Sequence, residues 1–276
     1  MTLSIVIVSF NARADLERCL TSLAAAPPRM DHQVIVVDNA SADGAADMVE
    51  QRFPGVRLLA CASNLGFARA NNLGIRVATG RLVLLLNPDT IVPEGAIDRL
   101  CQRLDARPDA AAIGPRLVDL DGRVEMSCGP MPSALGEAWQ KAVGALHARG
   151  VGPVVRRVEA NARAERSVAW VSGACLLVRR ADAERAGLFD ERFFLYWEDA
   201  DFCASLRALG REVLFSPVAE VVHARGRSAA TDRRRVKDAY RRGQLAFYAK
   251  HHPAWVGPLR LFLRLTGRLP GPGTGL

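Results

Sequence analysis

The stretch Leu3-Ser4-Ile5-Val6-Ile7-Val8-Ser9-Phe10 decides the fold class of this chain. It is a nearly continuous run of β-branched and other apolar residues, which is typical of a strand buried on both faces. Similar runs recur at 33–37, 56–60 and 81–86, and segments with helical periodicity lie between them. Strands that alternate with helices predict an α/β fold, in which a mostly parallel sheet is flanked by helices.

Helices are predicted between the strands and again in the second half of the chain. The patterns indicate helices at about 45–52, 67–78 and 93–107, and a basic helix at 231–250. Residues 129–166 carry glycine, proline and scattered arginine with weak periodicity, so we interpret them as a variable, partly mobile connection. We find no internal repeat and no clear linker, and we expect the second half to complete one domain.

Composition argues against several classes of protein. The chain has 276 residues and a net charge of +8, but its basic residues follow no zinc-finger, basic-zipper or aromatic–glycine RNA motif. The six cysteines lie far apart with no CxxC pair, which disfavours a metal knuckle and fits a reducing cytosol. No apolar run reaches about 18 residues and the N-terminus lacks the pattern of a signal peptide. We therefore expect a cytoplasmic protein that does not bind nucleic acid.

Polar residues follow the predicted strands at the point where each strand ends. In parallel α/β sheets the ligand binds at the carboxyl ends of the strands, so these residues are expected to meet in one crevice. They are Ser9, Asn11, Asp38, Asn39, Asn64, Asn87 and Asp89. Asp38 is a candidate acceptor for the N3–H of a pyrimidine base, with an Asx turn as an equal alternative.

The turn after the first strand reads Ser9-Phe10-Asn11-Ala12-Arg13 and contains no glycine. A dinucleotide site of the G-x-G-x-x-G type is therefore disfavoured, and the chain has no Walker sequence. A diphosphate would instead be held through a divalent cation, since Mg²⁺ or Mn²⁺ prefers carboxylate oxygens and substrate phosphates. Asp89 is the candidate ligand, although an Asn-Pro-Asp turn also has a purely structural interpretation.

A second polar element, Val221 to Ser228, follows the last predicted strand. His223 is a candidate second ligand through a neutral ring nitrogen, although a lone histidine after an apolar pair is more often structural. The neighbouring Arg225-Gly226-Arg227-Ser228 offers guanidinium groups, close backbone approach and a hydroxyl, and these features favour phosphate binding.

The run Phe193-Phe194-Leu195-Tyr196-Trp197-Glu198-Asp199-Ala200-Asp201-Phe202 places three carboxylates directly after five apolar or aromatic residues. A helical pattern begins here, so Asp199 and Asp201 are predicted at a helix N-terminus. Carboxylates in that position either cap free backbone amides or perform catalysis, and the run alone favours capping slightly. Trp197 and Tyr196 have two interpretations, stacking on a sugar face or simple burial.

Taken together, the motifs resemble those of the family 2 inverting glycosyltransferases of the GT-A fold, especially bacterial rhamnosyltransferase-like members. The resemblance covers residues 3 to about 250, and the motifs keep a consistent order and spacing. They are Ser4-Ile5-Val6-Ile7-Val8-Ser9-Phe10-Asn11, Val36-Val37-Asp38-Asn39-Ala40-Ser41, Asn64-Leu65-Gly66-Phe67-Ala68-Arg69-Ala70-Asn71-Asn72, Leu84-Leu85-Leu86-Asn87-Pro88-Asp89, Ser172-Gly173-Ala174, Phe189-Asp190-Glu191-Arg192-Phe193-Phe194, the run at 193–202, and His223 to Ser228. The implied fold is Rossmann-like with a C-terminal helical extension.

The resemblance implies roles for individual residues. Asp38 resembles the residue that reads the nucleotide base, and Asn87-Pro88-Asp89 resembles a metal-binding D-x-D motif. Asn87 is neutral where the motif has an acid, which leaves Asp89 as the main carboxylate ligand beside His223. Asp199 resembles the general base of an inverting, single-displacement transfer that depends on Mg²⁺ or Mn²⁺.

The remaining site residues implied by the resemblance fall into a donor-binding and an acceptor-binding group. The donor-binding group contains Ser9, Asn11, Asp38, Asn64, Arg69, Asn87, Arg225, Arg227 and Ser228, and the acceptor-binding group contains Gly173, Trp197, Glu198 and Asp201. The implied donor is a nucleoside diphosphate sugar, either deoxythymidine diphosphate rhamnose or a UDP sugar. The implied acceptor is a glycan or a polyprenyl-linked glycan.

The implied glycosyltransferase domain spans residues 1–250, with a nucleotide-binding half at about 1–110 and an acceptor-binding half at about 111–230. A basic tail follows at 251–276. The basic helix and this tail fit either a peripheral contact with the inner face of the plasma membrane or a solvated basic face. The rival functions are a nucleotidyltransferase, which would want a glycine- and lysine-rich first loop, and a non-catalytic sugar-binding module.

Overall fold

The computed structural model describes residues 1–224 and 233–271, and within them a central sheet of nine strands. The strands of the chain are β1 (Leu3–Ser9), β2 (His32–Asp38), β3 (Arg57–Ala60), β4 (Leu82–Leu86), β5 (Thr90–Ile91), β6 (Ala110–Val118), β7 (Cys128–Gly129), β8 (Arg166–Ser167), β9 (Trp170–Val171), β10 (Cys175–Arg179) and β11 (Glu212–His223). The order in the central sheet is β3-β2-β1-β4-β10-β6-β11-β5, with β8 paired to β11. Strands β7 and β9 form a separate two-stranded sheet.

The first four strands are parallel and bring their carboxyl ends to one edge of the sheet. Strand β1 pairs with β2 on one side and with β4 on the other, and β2 pairs with β3. The register places Ser9 of β1 beside Asp38 of β2. This arrangement confirms the predicted α/β fold and the predicted grouping of these strand ends.

Strand β10 joins the two halves of the sheet. It runs antiparallel between β4 and β6, and its first residue, Cys175, lies opposite Leu86, the last residue of β4. Strand β6 in turn pairs in parallel with β11. The loop that precedes β10 therefore arrives at the carboxyl end of β4, next to the turn at Asn87.

The helices cover both faces of the sheet and enclose two hydrophobic cores. They are α1 (Arg13–Ala25), α2 (Ala45–Arg52), α3 (Phe67–Val77), α4 (Ala96–Asp105), α5 (Ala134–Ala148), α6 (Gly152–Asn161), α7 (Arg180–Arg185), α8 (Glu198–Ala208), α9 (Arg233–His251) and α10 (Val256–Leu265), with a 3₁₀ turn at Pro253–Trp255. Ile5 and Ile7 of β1 belong to the core shared with α1, α2 and α4, whereas Val6 and Val8 belong to the core shared with α3, α8 and α9. None of the described helices combines the length and the apolar character needed to cross a bilayer.

The segment 129–166, which we interpreted as a variable, partly mobile connection without clear periodicity, contains the helices α5 and α6. Ser133 caps α5 by accepting a hydrogen bond from the N–H of Gly136 at 3.2 Å. The apolar periodicity of α5 is weak because Glu137 is buried while Trp139 is exposed. The predicted start of α4 at Pro93 is also too early, since the left-handed Gly95 precedes its first residue.

Candidate active site

The ends of β1 and β2 form one wall of a polar site at the carboxyl edge of the sheet. Oδ2 of Asp38 accepts a hydrogen bond from the N–H of Ser41 at 3.1 Å, which is the Asx turn that the sequence allowed. The other oxygen of Asp38 and Oγ of the neighbouring Ser9 are buried and have no hydrogen-bond partner among the described residues. Buried polar atoms are normally paired, so these two atoms are candidates for contact with a ligand.

Asn11 and Asn64 shape the loops around this wall. Asn11 has a left-handed backbone (φ 49°), and its side-chain oxygen accepts from the N–H of Ala42 at 2.8 Å. It therefore ties the first loop to the second, and the cap position of α1 belongs to Ala12. Oδ1 of Asn64 accepts from Nδ2 of Asn39 at 2.9 Å, so this side chain also supports the loops.

The turn after β4 meets the end of β11. Oδ1 of Asp89 lies 3.2 Å from Nε2 of His223, and Nδ2 of Asn87 lies 3.5 Å from the same nitrogen. The backbone fixes this approach, because β11 pairs antiparallel with β5 and the N–H of Ala224 donates to the carbonyl of Asp89 at 2.8 Å. The three side chains that the sequence singled out for the metal motif thus lie together.

Glu125 completes this group and was not predicted. Its Oε2 lies 3.0 Å from Nδ1 of His223, on the side of the ring away from Asp89, and the Glu125 side chain is only 6% exposed. Burial lowers the pKa of His223, but hydrogen bonds and charge from Asp89 and Glu125 outweigh that effect and raise the pKa to about 9. The imidazole is therefore held between two carboxylates.

The chemistry of this group fits a divalent cation that is shared with a substrate. Within residues 1–224 and 233–271 no set of three or more His, Cys, Asp or Glu side chains forms a complete metal-binding cluster. Asp89 and His223 instead offer one carboxylate and one imidazole, and Mg²⁺ typically takes few protein ligands and completes its shell with phosphate oxygens and water. Oδ1 of Asn87, buried and unpaired in the described part of the chain, adds a further oxygen here. The donor set therefore suits a cation that binds together with a diphosphate.

Asp199 lies at the start of α8 and faces the loop before β10. Its Oδ2 accepts from the N–H of Gly173 at 3.2 Å, and its Oδ1 accepts from the N–H of Ala200 at 2.8 Å. Burial raises the pKa of Asp199, and the backbone hydrogen bonds offset part of this rise. The residue as a whole keeps some accessible surface, and the two backbone hydrogen bonds fix the orientation of its carboxylate.

One loop connects Asp199 to the turn after β4. The N–H of Gly173 donates to Asp199, and the carbonyl of the next residue, Ala174, accepts from the N–H of Asn87 at 2.9 Å. Two adjacent residues, Gly173 and Ala174, thus make hydrogen bonds to the carboxylate of Asp199 and to the turn that carries Asp89. This arrangement brings the two halves of the candidate site together.

The residues before Asp199 adopt an unusual backbone conformation. Tyr196 and Trp197 both have positive φ angles, 70° and 76°, which large side chains rarely adopt. Gly243 of α9 packs against them so closely that a Cβ there would lie 2.7 Å from the carbonyl oxygen of Tyr196. Such conformations persist where the surroundings enforce them, and they cluster at functional sites.

Glu198 is the second acidic residue of the pair at the start of α8. It is buried, and its Oε2 has no hydrogen-bond partner in the described part of the chain. Burial, followed by the charge of Asp199, raises the pKa of Glu198 well above its usual range. Two neighbouring carboxyl groups with separated pKa values take different roles, and Asp199 is the one that the surroundings favour as the ionised partner.

Asp201 points away from this pair and into α9. Its Oδ2 accepts from Nζ of Lys250 at 2.8 Å, and its Oδ1 lies 2.6 Å from Nε2 of His251. Both oxygens of this buried carboxylate are therefore occupied, which makes Asp201 an anchor between α8 and α9 rather than a free acceptor contact. The sequence missed this link because it depends on how α9 packs.

Arg69, predicted to bind the donor, is exposed on α3, and its Nε lies 3.7 Å from Oε2 of Glu191. Arg225, Arg227 and Ser228 lie outside the described residues.

The sequence contains a signal that places Glu125 near this group. The Asp121-Gly122 turn folds the chain back along β6, so that the N–H of Glu125 donates to the carbonyl of Leu117 at 2.9 Å.

Comparison with known proteins agrees with this geometry. The model of the family described as Glycosyl transferase family 2 matches residues 4–214. The N-acetylglucosaminyl-diphospho-decaprenol L-rhamnosyltransferase of Mycobacterium tuberculosis is 35% identical over 275 residues, covering 95% of this chain and 89% of that protein. A low-salt glycan biosynthesis hexosyltransferase of Haloferax volcanii is 24% identical, covering 80% of this chain and 66% of that protein.

Solved glycosyltransferases share the fold. A mannosyltransferase from Pyrobaculum calidifontis, in complex with GDP-Man and Mn²⁺, aligns with a TM-score of 0.58 and 19% identity over 95% of this chain and 69% of its own. GalNAc-T7 with UDP, GalNAc and Mn²⁺ aligns with a TM-score of 0.63 and 15% identity over 97% of this chain and 53% of its own. The predicted GT-A arrangement of the sheet and helices is confirmed, and the chain belongs to glycosyl transferase family 2.

Proposed function

We propose that this protein is an inverting, metal-dependent glycosyltransferase that moves rhamnose from deoxythymidine diphosphate rhamnose to a hydroxyl group of a polyprenyl diphosphate-linked sugar. The rhamnosyltransferase from Mycobacterium tuberculosis, similar over nearly the whole chain, supports the donor sugar and the class of acceptor. The Mn²⁺ ions in the mannosyltransferase and GalNAc-T7 structures support a divalent cation. A UDP sugar is the alternative donor.

The link through Gly173 and Ala174 is the observation that carries this proposal. A single displacement needs a base on one side of the reacting carbon and positive charge at the leaving diphosphate on the other. The N–H of Gly173 donates to the carboxylate of the half-buried Asp199 at 3.2 Å, and the carbonyl of Ala174 accepts at 2.9 Å from Asn87, which belongs to the candidate cation-binding turn. A binding module has no use for that combination.

Asp199 acts as the general base in this scheme. Its carboxylate takes the proton of the acceptor hydroxyl as the hydroxyl oxygen forms a bond to the anomeric carbon of the donor. The bond between that carbon and the diphosphate oxygen breaks on the opposite face, so the configuration inverts and the nucleoside diphosphate leaves. Hydrogen bonds from Gly173 and Ala200 hold the carboxylate in place for this transfer.

Asp89 and His223 would hold the cation, and Glu125 would orient His223 by accepting its Nδ1–H. A bound Mg²⁺ or Mn²⁺ would supply positive charge to the leaving diphosphate. Ser9 and Asp38 would contact the nucleoside, with the unpaired oxygen of Asp38 accepting the N3–H of the pyrimidine.

The test compares three donors, and it compares the wild type with the variant Asp199→Asn. Full-length protein is incubated with deoxythymidine diphosphate rhamnose, UDP-glucose or GDP-mannose, with Mg²⁺, Mn²⁺ or EDTA, and release of nucleoside diphosphate is measured. We expect turnover to be highest with the rhamnose donor, to vanish in EDTA, and to fall in Asp199→Asn while donor binding remains. Release of pyrophosphate instead of a nucleoside diphosphate would indicate a nucleotidyltransferase and overturn the proposal.

A further inference from the structure

Helix α10 carries an apolar stripe that the described part of the protein does not cover. Leu263 of this helix is fully buried, and the partly buried Leu259 packs against the core that α3, α8 and α9 share. Leu261, Phe262 and Leu265 lie on a different side and are 59%, 52% and 78% exposed. Large apolar side chains grouped in this way usually mark an interaction surface.

The spacing makes these three residues one stripe. At 3.6 residues per turn, Leu261 and Leu265 lie one turn apart, and Phe262 neighbours Leu265 at a spacing of three residues. Arg260 and Arg264 are also one turn apart and form an exposed row beside the stripe. An apolar face bordered by arginine is the pattern of a helix that lies in the interface of a bilayer.

The surrounding chain has a single sign of charge. Residues 239–276 contain no Asp or Glu. Lys250 is paired with Asp190 and Asp201, and the other Lys and Arg residues of this segment are Arg241, Arg242, Arg260, Arg264 and Arg268. An anionic lipid surface complements such a segment, because each basic side chain near it is attracted and the long arginine stems reach past apolar groups to the headgroups. Trp255, half exposed in the turn before α10, adds an aromatic side chain of the kind found at membrane interfaces.

Helix α10 is connected to the candidate base through α9. It packs on α9, which holds Asp201 through Lys250 and presses Gly243 against Tyr196. Both contacts lie within three residues of Asp199. A surface that binds α10 would therefore fix the orientation of the helix that carries the base.

We propose that α10 is an interfacial helix that docks this protein on an anionic lipid bilayer, with Leu261, Phe262 and Leu265 in the acyl boundary and Arg260 and Arg264 at the headgroups. The docking goes beyond the proposed transfer reaction and does not depend on it. It is therefore measured without donor or acceptor, so that failure of one proposal leaves the other testable.

Flotation of the full-length protein with vesicles tests the apolar stripe. We expect the wild type to float with phosphatidylglycerol–phosphatidylcholine vesicles. The triple variant Leu261→Ser, Phe262→Ser, Leu265→Ser should bind these vesicles with an affinity that is lower by about tenfold or more. Leu120→Ser is the matched control, since Leu120 is also 59% exposed but lies in a turn far along the chain. Equal flotation of the triple variant and the control would overturn the proposal.

A second pair of variants separates local from overall charge. We expect one triple variant to lose most vesicle binding: Arg260→Gln, Arg264→Gln, Arg268→Gln. A second triple variant has the same change of net charge and should float like the wild type: Arg149→Gln, Arg156→Gln, Arg157→Gln. Equal loss of vesicle binding in both triple variants would show that the net charge of the whole protein attracts it to the vesicles, and it would contradict α10 as the docking helix. A wild-type dimer by light scattering that the serine variant converts to a monomer, without flotation, would assign the stripe to a second copy of the chain.

Discussion

Glu125 holds the imidazole of His223 in one orientation. Its Oε2 lies 3.0 Å from Nδ1, whereas Asp89 faces Nε2 at 3.2 Å. His223, whose pKa is about 9, must lose a proton to bind a cation, and a carboxylate that accepts the Nδ1–H directs that loss to Nε2 on the opposite side of the ring. The residue that decides which nitrogen can bind a cation is thus contributed by the segment after β6, distant in sequence from both candidate ligands.

Replacement of Glu125 should weaken cation binding without removing a ligand. We expect Glu125→Ala to lower the Mn²⁺ affinity of the nucleotide-bound protein by about 10-fold or more, and Glu125→Gln to lower it less, because an amide oxygen still accepts the Nδ1–H. Calorimetric titration of Mn²⁺ in the presence of nucleoside diphosphate measures this. Asp121→Asn, an exposed carboxylate nearby in sequence, is the control; unchanged affinity in Glu125→Ala would rule out the orienting role.

Asp199→Asn should abolish transfer while leaving nucleotide binding intact. The amide keeps the shape but is not a base, so we expect the turnover number to fall by about 10²- to 10⁴-fold. Glu198→Gln is the matched control, because the surroundings of Glu198 already favour its neutral form, and this variant should retain much more activity. The reverse pattern in steady-state kinetics would exchange the roles of the two carboxyl groups.

The activity should fall on the acid side at a higher pH than an ordinary aspartate would allow. Burial raises the pKa of Asp199, and only its ionised form accepts a proton, so activity is present above that pKa and is lost as the pH drops through it. A pH profile of kcat/KM at saturating Mg²⁺, with nucleotide binding measured in parallel, checks this. An acid limb at or below the usual aspartate range would contradict the assignment.

Gly66→Ala should destabilise the fold. Gly66 has a φ of +81°, and a Cβ there would lie 2.6 Å from the carbonyl oxygen of Phe194, which accepts the N–H of Phe67. We expect a loss of about 2 to 3 kcal/mol in the free energy of unfolding, from backbone strain and the clash. Gly55→Ala, where the added Cβ meets nothing within 4 Å, is the control for denaturant titration. Equal stability of the two variants would show that the loop around Gly66 moves to make room for the added methyl group.

Asp201→Ala should act on stability and not on the nucleotide site. The buried carboxylate bridges Lys250 and His251. Its removal leaves Nε2 of His251 without this contact and leaves Lys250 with Asp190 alone, at 3.0 Å. We expect about 2 kcal/mol of destabilisation, less than for a fully buried pair. Denaturant titration measures the loss, and Mn²⁺-dependent nucleotide binding should be unchanged. A stable variant with impaired transfer to the acceptor would restore Asp201 as an acceptor contact.

Local sequence was sufficient for the first four strands and for the polar residues at their ends. Leu3 to Ser9 is apolar on both sides because both faces of β1 are covered, and the parallel register then sets Ser9 beside Asp38. The local sequence was insufficient for segments in which a polar residue faces the interior. Glu137 of α5 is buried against α9, accepting from Tyr248 Oη at 2.6 Å, so the helix lacks a clean apolar stripe. Glu125 and Asp201 were missed or misassigned for a related reason: their partners come from distant segments.

The close approach of Gly243 to Tyr196 also bears on how far this chain can be shortened. The family model ends at residue 214, before His223 and before α9 begins. A fragment cut at that boundary would lose one candidate cation ligand and the helix that presses Tyr196 and Trp197 into their left-handed conformation. We expect the loss of this contact to change the conformation of the aromatic pair that precedes Asp199. Any shortened form designed for crystals or for engineering must therefore keep α9, although it contributes no atom to the reaction itself.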